Sequence, residues 1–382
     1  MFEGLVERHA SPAFSRRAAL GAIGAAGLTA AAFGRSGQPP APGAGTKQPV
    51  TPTPPSPAVP VPPVALKPAV GPAAVNAGTD LNGAGFYRFK LGAATLTLLT
   101  DGSMPFSMGM FGGAGNASKE DVEAAAAEAL IPPAKLLGHV HGMLIDTGGS
   151  DAGRILIDTG CGSGMGPTTG RLKKSLALAG FTPAQIGAVV LTHAHPDHVG
   201  GLQELGFNAF PVALFFVAKA ELDFWTNNPD LSRSRLDLKM RDAVTMTAQT
   251  LFAQLQEPEI KPRFHQLGDG DKVFESAGAT VSLNLVPGHT AGHCAVAIAS
   301  GGEKFVYMTD VVHHSGIQMP HPDWHVAYDT DPVMAAKSRR ALLTKMAAEK
   351  TLVSGAHLPF PAVGYVRKEG SGFAWVPRVW EW

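Results

Sequence analysis

The 382-residue sequence predicts an α/β fold of four layers, αββα, with two β-sheets packed face to face and helices covering both. Three observations predict it. Segments of strand character come in two batches, one between Tyr87 and Leu191 and one between Thr280 and Met308. Helical segments follow each batch. The first batch also runs straight into a dense cluster of histidines and aspartates.

Taken in order, alternating apolar residues over Tyr87–Thr100, His139–Asp146 and Arg154–Asp158 predict strands. Ser118 followed by Asp121, ahead of Val122–Leu130, predicts a capped helix start, because the two side chains can satisfy each other's backbone donors. Gly170–Ala179 reads as a helix ended by Gly180, and Ala188–Leu191 as a short buried strand. Later strands are expected over Thr280–Val286, Cys294–Ala299 and Lys304–Met308, then a helix over Pro332–Glu349. Periodicity alone does not select this arrangement among α/β folds. The motifs do.

Composition narrows the function. Apolar residues make up 45%, enough for a sizeable core, and 31 basic residues balance 31 acidic ones. That balance gives no electrostatic reason to expect nucleic acid or an anionic membrane as partner. Cys161 and Cys294 are the two cysteines, too few for a disulfide scaffold. Neither lies in a C-x-x-C, which excludes a thiolate zinc knuckle, and both read as small buried apolar residues.

Residues 1–33 predict an export signal. Arg16-Arg17 precede the apolar stretch Ala18–Phe33, whose 16 weakly hydrophobic residues are too short to span a bilayer stably. Leu20 and the arginine pair match the twin-arginine type, although Ala19 and Gly21 replace the usual Phe and Lys. The expected location is periplasmic or secreted. Residues 34–78 form a Pro/Ala-rich linker, with thirteen prolines between Pro39 and Pro72, expected to be extended. Residues 79–382 are the globular domain.

The strongest signal is Thr192-His193-Ala194-His195-Pro196-Asp197-His198-Val199-Gly200-Gly201, with four potential metal ligands in six residues just after a strand. On extended backbone, residues two apart point the same way, so His193 and His195 can share one ion while Asp197 and His198 turn toward a second. Three further ligands follow apolar strands: His289 in Gly288–His293, Asp310 just past Phe305–Met308, and His357 in Ser354–Pro359. The expected first ion takes His193, His195, His289 and Asp310; the second takes Asp197, His198, His357 and Asp310. Imidazole and carboxylate without thiolate suit zinc, with manganese, cobalt or iron also compatible. Asp310 and Asp197 are the expected catalytic carboxylates. Thr192 and His293 are expected to support the ligands from behind. His313 and His314 lie just past Asp310, and one of them could face the pocket; His139, His141, His265, His321 and His325 have no recognisable ligand spacing.

The H-x-H-x-D-H cluster, the Gly288-His289-Thr290-Ala291-Gly292-His293 turn, Asp310, His357 and Asp158-Thr159-Gly160 together resemble the metallo-β-lactamase superfamily, from about Ala84 to the C-terminus. Within it, the sequence is most similar to methyl parathion hydrolase and its relatives, which include lactonases and aryl esterases. Gly85–Phe89, Leu91-Gly92, Asp101-Gly102, Phe224-Trp225 and Ala356–Pro361, followed by Gly364 and 367–372, carry that similarity. The resemblance implies a metallo-β-lactamase sandwich and a binuclear hydrolase. Its substrate would be a hydrophobic ester, lactone or aryl phosphotriester, attacked by a hydroxide shared between the ions. It also implies a substrate pocket containing Trp225, Met165 and Phe360, and a homodimer. Met165 stands where the family has an aromatic residue, and Ala291 replaces the usual Pro. An alternative from the same superfamily is a mononuclear iron enzyme oxidising sulfur compounds; the complete second ligand set favours the hydrolase. A β-lactamase is disfavoured, because antibiotic-cleaving members generally lack an aspartate at the place of Asp310.

Overall fold

A computed structural model describes residues 85–379 except 114–115, 133–134, 149 and 277. The expected signal and linker lie outside the described residues. No described helix is long and apolar enough to cross a membrane.

The first sheet runs β1 (Phe86–Leu91), β2 (Ala94–Pro105), β3 (Leu137–Asp146), β4 (Arg154–Ile157), β5 (Ala188–Leu191), β6 (Leu214–Ala218) and β7 (Phe264–Leu267), each beside its successor. Strands β1 to β4 pair antiparallel, and β4 to β7 pair parallel. The second sheet runs from β8 (Lys272–Glu275) through β9 (Ala279–Leu285), β10 (Cys294–Ser300), β11 (Glu303–Tyr307), β12 (Leu352–Ser354) and β13 (Val363–Glu369) to β14 (Gly372–Pro377). It is antiparallel except where β11 meets β12.

The core lies between the sheets, where Leu96, Leu98, Ile157 and Val190 share one cluster with Leu283, Val296, Ile298 and Phe305. The outer face of the first sheet is covered by α2 (Leu172–Leu178), α3 (Pro196–Leu205) and α5 (Leu238–Leu255), with Leu176, Leu202 and Phe252 against Leu156, Val189 and Phe215. Strand β5 shows why its sequence is continuously apolar. Ala188 and Val190 enter the inter-sheet core and Val189 and Leu191 the outer one, so all four are buried. Leu343 and Met346 of α7 (Pro332–Glu349) pack into the cluster that contains Val363 and Val366 of β13. The four-layer expectation holds.

Details differ from the sequence reading. Tyr87–Thr100 is a hairpin of two strands, turned at Gly92 with φ +53°, and β2 continues past a bulge between Thr100 and Gly102. The first helix, α1 (Lys119–Glu128), carries the expected capping box: Ser118 accepts from Asp121 N, and Asp121 accepts from Ser118 N. Helix α2 starts at Leu172, two residues later than expected, and stops before Gly180, whose φ is +90°. Strands β6, β7 and β8, helices α4 (Lys219–Thr226) and α5, and the β13–β14 hairpin lie outside the elements expected from the sequence. Both cysteines are free and buried, as expected.

Candidate metal centre

The H-x-H-x-D-H segment spans a change of backbone type. Strand β5 ends at Leu191, His195 is still extended (φ −72°, ψ 151°), and Pro196 opens α3. Pro is well placed there, since its missing N–H falls among donors that have no helical partner anyway. His193 and His195 therefore project from extended chain, and Asp197 and His198 from the first helical turn. The glycines that follow are required by a close approach. A Cβ on Gly201 would stand 1.9 Å from the Thr159 carbonyl oxygen, and one on Gly200 would stand 2.2 Å from that of Cys161. The Asp158–Cys161 loop thus lies directly on α3.

The seven expected ligands meet. Ligand atoms of His193, His195 and His289 lie within 4.8 Å of one another, as do those of Asp197, His198, Asp310 and His357. Asp310 faces both sets. Its Oδ2 is 2.9 Å from His357 Nε2, 3.4 Å from His289 Nε2 and 3.7 Å from His193 Nε2, while Oδ1 is 3.1 Å from His198 Nε2. All except the half-buried Asp197 are buried. Nε2 of His193, His195 and His198 and Oδ1 of Asp310 are buried with no hydrogen-bond partner. Such groups are costly unless something else satisfies them, and imidazole lone pairs facing carboxylate oxygens are what a cation would satisfy. The donor set therefore fits two divalent ions.

The electrostatics point the same way. Burial, reinforced by neighbouring imidazoles, holds His193, His195 and His289 well below the ordinary 6.5, leaving them neutral and able to donate lone pairs. Burial also opposes charge on His198 and His357, but there the carboxylates, led by Asp310, win and raise both pKa values. Burial would raise Asp310, but His198, His357 and His193 hold it well below the carboxylate range.

Each ligand is oriented from behind. Asp158 Oδ2 lies 2.7 Å from His198 Nδ1, and the same carboxylate accepts from Thr192 N and Thr192 Oγ1. Thr192 Oγ1 is also 3.2 Å from His193 Nδ1, in the supporting place expected for it. His357 Nδ1 lies 2.6 Å from the His139 carbonyl oxygen. His289 Nδ1 is 3.0 Å from Asp329 Oδ1, and Asp329 Oδ2 is 3.7 Å from Arg339 Nη2. His293 lies beside the ligands rather than among them: its Nε2 is 2.6 Å from Thr309 Oγ1 and accepts from Asp310 N at 3.2 Å. Thr309 adopts φ +52°, unusual for a β-branched residue, and this turn sets Asp310.

A cavity of about 370 Å³ opens onto the ligands. Its wall includes Met104, Phe106, Met110, Met165, Met240 and Tyr328. Met165 lines it as expected. Trp225 and Phe360 do not, which corrects the sequence reading. Trp225 is fully buried behind His195, and its indole N–H donates to Glu221 Oε1 at 2.7 Å. Phe360 packs over His141 against the inter-sheet core. Of the undecided pair, His313 enters the cavity, with Nε2 3.4 Å from Asp310 Oδ2 and its ring stacked on His357. His314 instead caps the short helix α6 (Ser315–Gln318), accepting from Gly316 N. Glu221, Asp329 and Arg339 stand outside the site expected from the sequence, because no local spacing marks them as its supports.

Residues 137–357 match the family model of the Metallo-beta-lactamase superfamily, and the chain belongs to that superfamily. Among solved structures it is similar to AidC, described as a dizinc quorum-quenching lactonase in complex with a product. Identity is 31% and the TM-score 0.70, over 78% of this chain and 99% of that one. It is also similar to AbOPH, described as a hydrolase in the beta lactamase superfamily, at 26% identity and TM-score 0.69, with the same coverage of both chains. Probable metallo-hydrolases of Mycobacterium tuberculosis and Mycobacterium bovis are 28% identical over 193 residues, 46% of this chain. The chain spans 57% of the length of those curated relatives.

Proposed function

We propose that this protein is a binuclear metal-dependent hydrolase that cleaves a hydrophobic ester or lactone. One ion would be held by His193, His195, His289 and Asp310, the other by Asp197, His198, His357 and Asp310. The observation that carries the reading is the meeting of seven ligands from distant parts of the chain around buried ring nitrogens that have no hydrogen-bond partner. When bound, such a pair of cations supplies Lewis acidity and acidifies water at neutral pH.

The chain's own residues supply the rest. The methionine-rich wall and Phe106 take the apolar part of the substrate and exclude water from the ligands. Unbranched thioether side chains adapt their shape, which suits an aliphatic chain of variable length better than one rigid ring. Asp197 lies at the cavity surface, placed to receive or return a proton at the leaving oxygen. Similarity to a dizinc lactonase supports lactones within the ester class. An aryl phosphotriester is the less favoured substrate, since Met165 removes an aromatic contact from the wall. Zinc as the ion in the cell, export by the twin-arginine route and a homodimer belong to the same proposal.

The test is metal analysis and turnover of the zinc- or manganese-loaded protein on a panel of lactones, aryl esters and phosphotriesters. Two ions per chain are expected, with ester or lactone cleavage that His195→Ala or Asp310→Ala abolishes. One iron per chain with oxidation of a sulfur compound, or turnover surviving either substitution, would overturn the reading.

A further inference from the structure

Glu221, on α4, is fully buried and forms no ion pair among the described residues. Four donors converge on it instead. Oε1 accepts from Ala194 N at 2.9 Å and from Trp225 Nε1 at 2.7 Å, while Oε2 accepts from Thr290 Oγ1 at 2.6 Å and Gly292 N at 2.9 Å. Ala194 stands between His193 and His195; Thr290 and Gly292 stand between His289 and His293. Each oxygen therefore holds one ligand-bearing loop, and the carboxylate is the brace between them.

We infer that Glu221 is a positioning residue that sets the His193–His195 loop and the His289–His293 turn at the spacing the first cluster requires. Burying a carboxylate without a cation is expensive unless its lone pairs are filled. Here two donors meet each oxygen, so the charge is tolerated only while both loops stay in place, and the loops are fixed for the same reason. The turn also rests on α4 itself: a Cβ on Gly292 would lie 2.1 Å from Glu221 N. The second cluster is braced differently, by Asp158 behind His198 and the His139 carbonyl behind His357. The brace therefore acts on one cluster and not the other. It also gives Trp225 its role, as a donor to Glu221.

The inference rests on the two clusters being metal sites, and the experiment separates the two ideas. Glu221→Gln keeps the shape but leaves one acceptor oxygen, so its NH2 group faces donors. Zinc affinity is measured by chelator competition in two backgrounds of the full chain: His198→Ala, which leaves the first cluster complete, and His193→Ala, which leaves the second. Glu221→Gln is expected to weaken zinc about tenfold or more in the first background and less than about threefold in the second, within the range seen for groups that orient ligands. Equal weakening in both, as a merely structural role would give, overturns the inference, as does no weakening in either. Thermal melting of the metal-free variants checks folding. If Glu221→Gln does not fold, Thr290→Val removes a single donor and is expected to shift affinity in the same selective way. If the parent chain binds no zinc, the metal-site reading falls with it; if it binds two ions and the selectivity is missing, only the role of Glu221 falls.

Discussion

Replacing Arg339 by methionine tests how the fold supports His289. Arg339 is 2% exposed, and its guanidinium donates to the carbonyl oxygens of Val311 (2.6 Å), Pro322 (2.8 Å) and Trp324 (3.0 Å). It faces Asp329 at 3.7 Å, and Asp329 holds His289 Nδ1. Methionine fills much of the volume but leaves the Asp329 charge buried without its cation. Removing one partner of a buried pair costs about 3–5 kcal/mol, mostly through the uncompensated charge. In a domain of this size about 2 °C of melting temperature accompanies each kcal/mol, so a drop of about 6–10 °C is expected. The assay is thermal and guanidinium denaturation of the metal-free protein, so that ion binding does not contribute. Arg339→Met combined with Asp329→Asn should cost about 1–3 kcal/mol less than the sum of the single changes, because the double variant strands no charge. A single-variant loss below about 1 kcal/mol, or strict additivity, would refute the reasoning and reduce Arg339 to packing.

Two further outcomes follow from named groups. Burial first, then the neighbouring His139, lowers His141 to about 3 from 6.5, against a hydrogen bond to the Leu358 carbonyl that raises it. Between those values the unfolded chain binds the extra proton, so His141 contributes stability that is complete above about 6.5 and is lost as pH falls toward 3, by up to about 1.4 kcal/mol per pH unit. In metal-free protein, His141→Gln should flatten the stability profile over that window; profiles that stay parallel would exclude the effect. Met165→Phe should raise kcat/KM for aryl esters relative to alkyl lactones about two- to tenfold, the scale of one apolar contact. An unchanged ratio in substrate competition would show that Met165 does not select substrate.

The ligands were legible in the sequence because their geometry is local. Strand β5, an extended step and a Pro-started helix are encoded within 188–198, and these alone aim His193, His195, Asp197 and His198 at two centres. His289, Asp310 and His357 were legible as polar residues just beyond apolar strands, where a sheet's edge delivers side chains. Other features depended on contacts between residues far apart in the chain, which no period or spacing records. Glu221 reaches Ala194 across 27 residues and Gly292 across 71, and Asp329 meets both His289 and the α7 residue Arg339 only in the packed chain. Trp225 and Phe360 were misplaced for the same reason: an aromatic residue near a motif lines a cavity or a core according to which way its helix or loop has turned. His313 and His314 likewise parted only in the folded chain, where His313 faces Asp310 and His314 caps α6. The sequence by itself determined which side chains could hold ions, and tertiary packing determined what holds those side chains still, because burial and long-range hydrogen bonds exist only once the sheets have met.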